Sequence, residues 1–117
     1  MTALVDWADT ANHPASEADM AILVILEMPG MTQAMYESSA DQVTGGRGAV
    51  KSPSDWPVPG LLSHTAAATP EGWFVADVWE SEEAFERFGE IIIPILRGLG
   101  LADVQPKVYP VFTMVTR

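Results

Sequence analysis

The segment Gly60–Trp79, GLLSHTAAATPEGWFVADVW, constrains the fold of this chain most strongly, because it predicts a β-hairpin. Its turn is Thr69–Gly72, TPEG, and both flanking runs alternate in polarity or favour strands. Pairing Ala68 with Trp73 fixes the remaining register, since side chains two residues apart share a face. The further pairs are Ala66 with Val75, His64 with Asp77, and Leu62 with Trp79. The hairpin thus predicts an antiparallel sheet with an imidazole beside a carboxyl group.

The two faces of the second hairpin strand differ in character. One face mixes aromatic and polar side chains, which is typical of a pocket wall. This mixed face carries Trp73, Val75, Asp77 and Trp79. The other face carries only apolar side chains, namely Phe74, Ala76 and Val78. We expect the apolar face to pack under helices.

A strand and a helix are predicted before the hairpin, and a last strand near the end of the chain. Met20–Met28 is apolar on both faces, as expected for a central strand. Thr32 can cap a helix that runs to about Val43. The final strand is predicted at about Val104–Val115, where Pro110 indicates a sheet edge or a bulge.

A second helix follows the hairpin. Ser81 is a good N-cap, and an apolar stripe at helical spacing follows it. Pro94 predicts a kink or a restart near Ile93, and the helix should end at Gly98 or Gly100. The resulting order, β-α-β-β-α-β, is the split arrangement of ferredoxin-like α+β domains with an antiparallel sheet. Helices then cover one sheet face, and the exposed apolar face predicts a homodimer.

Composition bounds the organisation and the partners. At 117 residues we expect one domain, comprising an acidic arm at 1–19 and the ferredoxin-like domain at 20–117. The net charge of −10 argues against nucleic acid and anionic membranes as partners. The absence of cysteine excludes disulfides and thiolate metal sites. The longest apolar run, Met20–Leu26, is far shorter than the ~20 residues that span a membrane. We expect a soluble cytoplasmic protein.

A long connection at about 41–60 is rich in Gly and Pro and exceeds the usual ~4–6 residues. Its Trp56 is either a lid over a pocket or an anchor for the loop, because an indole is costly to leave in water. Arg47 and Lys51 are the only basic residues before Arg87. They are either solvated loop charges or a cationic lid for an acidic substrate group.

His64 is the one histidine of the predicted domain, since His13 lies in the arm. A hydrogen bond to Asp77 would fix its tautomer and stabilise the imidazolium. Such a histidine can act as a general base toward a phenolic or α-carbonyl proton. The pair can also be purely structural, satisfying itself in a polar patch or a dimer interface. Two ligands are too few for a metal ion, so no metal is expected.

Three stretches of the chain carry a family resemblance. They are Leu26–Thr32 (LEMPGMT), Gly72–Trp73, and Asp77–Phe85 (DVWESEEAF). Over about residues 20–116 the chain resembles the dimeric α+β barrel superfamily, in particular small proteins related to the antibiotic biosynthesis monooxygenases. The superfamily includes cofactor-independent oxygenases of aromatic polyketides, polyketide cyclases and haem-degrading enzymes. The haem-degrading branch would require a Trp and an axial His on the second helix, and Phe85–Gly100 contains neither.

The resemblance implies a homodimeric barrel enzyme without a cofactor, acting on a hydrophobic aromatic or polyketide-like molecule as a monooxygenase or as a cyclase or isomerase. His64, oriented by Asp77, would be the general base, and the mixed face of the hairpin would line the barrel interior. The residues expected to bind the substrate are Trp56, Trp73, Trp79 and Tyr36, with Arg47 or Lys51 holding an acidic group. The alternative is a non-catalytic small-molecule-binding or assembly module. It would be indicated by a buried His64 with both ring nitrogens bonded and no adjoining cavity.

Overall fold

The computed structural model describes residues 20–117, so the predicted arm at 1–19 lies outside the described residues. The described chain contains four strands, two α-helices and one short 3₁₀ helix, in the predicted order. The bounds are β1 Ile22–Pro29, α1 Gln33–Val43, the 3₁₀ helix Pro53–Asp55, β2 Leu61–Thr69, β3 Gly72–Trp79, α2 Glu82–Gly98 and β4 Lys107–Pro110.

The four strands form one antiparallel sheet in the order β2-β3-β1-β4. The two apolar faces of β1 had predicted a central strand, and β1 lies between β3 and β4. β4 lies at the edge, where the missing N–H of Pro110 is tolerated, as predicted. The predicted ferredoxin-like α+β fold is confirmed.

The hairpin register is confirmed over most of its length. Ala68, Ala66 and His64 lie opposite the predicted partners on β3. The pairing of Leu62 with Trp79 was wrong, because a bulge between Leu61 and Ser63 shifts the register and puts Leu61 opposite Trp79. Leu62 therefore points away from the core and is 44% exposed.

Gly60 explains where β2 must begin. Its φ of +113° is unfavourable for residues with a Cβ, and a Cβ added there would lie 2.6 Å from the Cβ of Ala84 on α2. The carbonyl of Gly60 accepts a hydrogen bond of 2.8 Å from the N–H of Glu80. A glycine here thus lets the start of β2 approach the N-terminus of α2 closely.

The assignment of the two faces of β3 was wrong. Trp79 is completely buried, and its ring packs against those of Phe85 and Phe88 on α2, with centroids 6.3 and 5.1 Å away. The mixed face is therefore the one beneath the helices, while Phe74 on the opposite face is only half-buried. The mixed face can be buried because its one carboxyl group, on Asp77, is bonded within the sheet.

Local capping chemistry sets the helix starts. The side chain of Thr32 accepts a hydrogen bond from the N–H of Met35, and that of Ser81 accepts one from Ala84, as predicted. A kink or a restart was predicted near Ile93, and α2 continues through Pro94 without a restart; of the two predicted ends, Gly98 and Gly100, the structure has Gly98. Pro94 is exposed, so the carbonyl that loses its helical partner lies on the solvent side.

The last strand is shorter than the predicted Val104–Val115, because it comprises only Lys107–Pro110. Beyond Pro110, the N–H of Val111 still donates to the carbonyl of Ala21 at 2.9 Å, and the chain then leaves the sheet. Neither helix among residues 20–117 is both long enough and apolar enough to cross a membrane.

Candidate functional site

Three side chains from three elements form one hydrogen-bonded chain beneath the helices. His64 on β2 and Asp77 on β3 are cross-strand partners, and their Nδ1 and Oδ1 atoms are 2.6 Å apart. The hydroxyl of Tyr36 on α1 lies 2.7 Å from Nε2 of the same imidazole. The assignment that uses all these groups has Nδ1–H donating to the carboxylate and the tyrosine hydroxyl donating to Nε2.

Burial is the main cause of the pKa shifts of Asp77 and Tyr36 in this hydrogen-bonded chain. The side chain of Asp77 is only 5% exposed and that of His64 17%. Burial raises the pKa of Asp77, and hydrogen bonding and charge interaction with His64 oppose this rise. Burial also raises the pKa of Tyr36, and the negative charge of Asp77 adds to it. Tyr36 is therefore a neutral phenol at neutral pH and can donate to the imidazole.

Aromatic rings pack against the hydrogen-bonded chain Tyr36–His64–Asp77 on two sides. The ring of Trp56 lies against the imidazole of His64, with centroids 4.7 Å apart and planes tilted by 59°. Trp73 stacks on Tyr36 at 5.2 Å and 23°. These contacts restrict both rings of the Tyr36–His64 pair. Trp79 does not take part in this enclosure, because it lies in the core against α2.

A small cavity adjoins the hydrogen-bonded chain between the sheet and the helices. Its volume is about 50 Å³, and its walls are mostly aliphatic and aromatic. The polar residues of its lining are Tyr36, Ser39, His64 and Asp77. The apolar residues of its lining include Leu26, Met28, Val75, Phe88, Ile92 and Leu96. A water needs ~10–15 Å³ of such space, so the cavity accommodates molecules of only a few atoms.

An open cleft of about 300 Å³ lies on the other side of Trp56. Three residues, Val50, Trp56 and His64, line both the cleft and the cavity. Lys51 lines the cleft but not the cavity. Trp56 and His64 therefore lie where a small apolar space meets a larger, partly polar one. A volume of this order is what small organic ligands occupy, since ligand pockets measure roughly 300–1,000 Å³.

The two basic loop residues have different surroundings. Nε of Arg47 donates to the carbonyl of Thr44 at 2.9 Å, next to the end of α1, and Arg47 lines neither the cavity nor the cleft. The backbone N–H of Lys51 donates to Oδ2 of Asp55 at 2.8 Å, and this bond lowers the pKa of Asp55. The same carboxyl group also accepts from the N–H of Ser52, so the loop preceding Trp56 has its own hydrogen bonds.

The sequence placed His64 beside Asp77 and Tyr36 among the expected substrate-binding residues, but the bond between Tyr36 and His64 was not predicted. The signal that could have found it is that Tyr36 shares a helix face with Ser39 and Val43, both buried. Trp73 lines a different groove, with Glu27 and Glu71, and reaches the site only through its contact with Tyr36. Within residues 20–117, no three carboxylate or imidazole side chains form a group that could hold a metal ion.

Comparison with solved structures identifies relatives in fold. Two crystal structures of SnoaB, a cofactor-independent oxygenase from Streptomyces nogalater, one of them of a mutant, superpose with a TM-score of 0.55 at 18% identity. Each covers 86% of this chain and all of SnoaB. A protein from Shewanella loihica PV-4, provisionally named a monooxygenase, gives 0.49 at 14% identity over 81% of this chain and 97% of its own.

The described chain therefore has the fold of SnoaB, a small α+β protein of the type that the sequence resembled. At 18% identity this likeness concerns the fold, and the chemistry must be argued from the site itself. The sequence matches no protein-family model and no curated protein.

Proposed function

We propose that this protein is a cofactor-independent monooxygenase of a hydrophobic aromatic or polyketide-like small molecule. The observation that carries the proposal is the chain Tyr36–His64–Asp77 at the boundary between an apolar cavity and an open cleft. A base between an apolar space and a partly polar one can meet an organic substrate on one side, while the apolar lining disfavours water on the other. The fold shared with SnoaB, itself a cofactor-independent oxygenase, supports the reaction class.

Nε2 of His64 is the proton acceptor in this proposal. Nδ1 is committed to Asp77, which holds the imidazole in the tautomer whose Nε2 carries a lone pair. A substrate in the cleft first displaces the Tyr36 hydroxyl from the single lone pair of Nε2 and then delivers its phenolic or α-carbonyl proton to that nitrogen. The imidazolium then donates to the oxygen of Tyr36, so the hydroxyl hydrogen of Tyr36 must turn to another acceptor. Asp77 stabilises the positive charge on the ring while the substrate is an anion.

The reaction balances with dioxygen as the only co-substrate. The substrate anion passes one electron to dioxygen, and the two radicals combine through a new C–O bond into a peroxide anion. The peroxide takes up the proton that was removed and loses water, which leaves a carbonyl group on the substrate carbon. One oxygen atom enters the product, the other leaves as water, and the substrate loses two hydrogens.

The surroundings assign supporting roles to the other residues. Trp56 supplies an aromatic surface to a flat substrate in the cleft, and Lys51 can hold an acidic group there. Trp73 positions Tyr36 by stacking on it. We assign no substrate contact to Arg47, which is bonded to the end of α1, or to Trp79, which is fully buried in the core.

A non-catalytic binding module is the alternative. It predicts a buried His64 with both ring nitrogens bonded and no adjoining cavity, and the first of these features is present in part. Both ring nitrogens of His64 have hydrogen-bond partners. The other part is absent, because His64 is partly exposed and adjoins both the cavity and the cleft. The adjoining space is what favours the enzyme.

We also propose that two chains pair through the sheet face that the helices leave uncovered. Leu23 and Ile25 of β1 are only half-buried there, and Phe112 and Met114 also line an open groove beside Leu23 and Val78. Phe112 is completely exposed in the single chain. An apolar surface of this kind is usually covered by a partner, most simply a two-fold copy.

The test is oxygen uptake with anthrone, whose oxidation to anthraquinone follows the balance given above. We expect uptake of one dioxygen per quinone, and a loss of about 10²–10⁴-fold in His64→Gln. Thr65→Ala, at an exposed neighbouring position of β2, is the control and should leave the rate unchanged. Uptake undiminished in His64→Gln would overturn the assignment of the base. Conversion of polyketide-like substrates without oxygen uptake would identify a cyclase or isomerase instead.

A further inference from the structure

The cavity beneath His64 is too small for the molecule that the proposed function requires. Its volume is about 50 Å³, whereas a cavity that binds benzene measures about 150 Å³. The walls are also well packed, because Val75, Phe88 and Leu96 are each at most 5% exposed. A flat aromatic substrate therefore fits the open cleft and not this cavity.

The cavity offers little to water. The hydroxyl, imidazole and carboxyl groups of its lining already have partners in the protein: Tyr36 bonds His64, His64 bonds Asp77, and Ser39 donates to the carbonyl of Tyr36 at 2.7 Å. The indole N–H of Trp56 is buried without a partner and is one donor left to an occupant. The remaining lining is aliphatic, aromatic or thioether. Water in a buried site normally makes about three hydrogen bonds, so a space with a single unengaged donor favours an apolar occupant.

The position of the cavity matches the chemistry of the site. Tyr36 lines the cavity and not the cleft, whereas His64 lines both. When His64 is protonated, the hydroxyl hydrogen of Tyr36 is released, and the cavity is the space that this hydroxyl borders. An oxygen-derived anion formed there would receive that hydrogen bond.

We propose that the cavity is a subsite for dioxygen that adjoins, beside Trp56 and His64, the cleft that takes the organic substrate. The inference rests on the proposed function and adds to it a division of the site into two compartments. His64 takes the proton on the cleft side, and Tyr36 donates to reduced oxygen on the cavity side. Val50, Trp56 and His64 line both spaces, so the C–O bond forms where the two spaces meet, and the apolar lining of the cavity keeps water from the peroxide.

Xenon, an apolar atom that enters such cavities, tests the subsite without any turnover. We expect xenon under pressure to shift the methyl NMR signals of Leu26, Ile92 and Leu96 and to leave exposed methyl groups unaffected. Ala40→Val adds two methyl groups to the cavity wall on α1 and should weaken xenon binding by about tenfold or more. Ala34→Val is the matched control, since it makes the same change on an exposed position of the same helix.

A second filling variant guards against misfolding of the first. Val75→Ile adds one methylene from the sheet side, and thermal unfolding of each variant shows whether it is folded. In the folded variants we expect a raised KM for dioxygen and an unchanged KM for anthrone, with no change in Ala34→Val. No xenon shift in the wild type, or equal shifts in Ala40→Val, would overturn the subsite. Equal KM values for dioxygen would overturn its assignment to oxygen.

The outcomes separate this inference from the proposed function. Oxygen uptake with anthrone but no xenon binding contradicts the subsite and supports the monooxygenase. Xenon binding without any oxygen uptake contradicts the monooxygenase, and with it the assignment of the cavity to dioxygen.

Discussion

Replacing Tyr36 by Phe distinguishes a catalytic hydrogen-bonded chain from a structural one. The substitution keeps the ring that stacks on Trp73 and removes only the hydroxyl, 2.7 Å from Nε2 of His64. A hydrogen bond of this kind contributes about 0.5–1.5 kcal/mol to stability. If the hydroxyl also stabilises an oxygen-derived anion, its removal should lower kcat by about 10²–10³-fold. The expected loss in rate thus corresponds to a larger free energy than the expected loss in stability.

The assay combines two measurements on the same preparations. Denaturant unfolding gives the free energy of unfolding, and an oxygen electrode gives kcat with anthrone. Tyr109→Phe is the control, because Tyr109 lies half-exposed on β4, outside the cavity and the cleft. A catalytic role for the Tyr36 hydroxyl is refuted if Tyr36→Phe loses about 1 kcal/mol of stability while its kcat matches that of Tyr109→Phe.

Five further predictions rest on the same structure. Asp77→Asn should lower kcat by about 10²–10⁴-fold, because the amide cannot balance an imidazolium. Burial raises the pKa of Asp77 in the folded protein above its value in the unfolded chain. The stability that this shift contributes is therefore fully present below the pKa of the unfolded chain and is lost as the pH rises through the pKa of the folded protein. Denaturant titrations across the acid range should show this loss in the wild type and not in Asp77→Asn. The raised pKa of Tyr36 predicts a phenol that titrates above its ordinary value, with stability falling as it ionises, and ultraviolet titration should show its pKa lowered in Asp77→Asn. Gly60→Ala should destabilise by about 1–3 kcal/mol or more because of its positive φ and its close contact with α2, whereas Gly98→Ala, with open space around it, should be neutral or stabilising; thermal unfolding compares them. Light scattering should give the mass of two chains, and Phe112→Asp should reduce it to one; a wild-type monomer would contradict the proposed pairing.

Features that depend on neighbouring residues could be predicted from the sequence. The register from Ala68 to His64 follows from the position of one turn and the two-residue alternation of side chains, and the structure confirms it. The helix starts at Thr32 and Ser81 follow from a side-chain oxygen three residues before an N–H, which is also local. His64 and Asp77 could be placed together for the same reason.

Features that depend on packing between distant residues could not be predicted from the sequence. Leu62 leaves the register because of a bulge, which no pattern in β2 announces. The face of β3 that lies beneath the helices was misassigned because both faces carry large apolar residues, and only the contacts of Trp79 with α2 decide between them. The bond between Tyr36 and His64 joins residues 28 apart, so it depends on how α1 packs on the sheet.

The most direct test of the central claim is a crystal structure with naphthol bound in the absence of oxygen. We predict the ring of naphthol in the cleft against Trp56, with its hydroxyl in place of that of Tyr36 about 2.6–3.2 Å from Nε2 of His64 and the small cavity unoccupied beside it. Naphthol bound away from His64, with the Tyr36–His64 bond unchanged, would contradict the account.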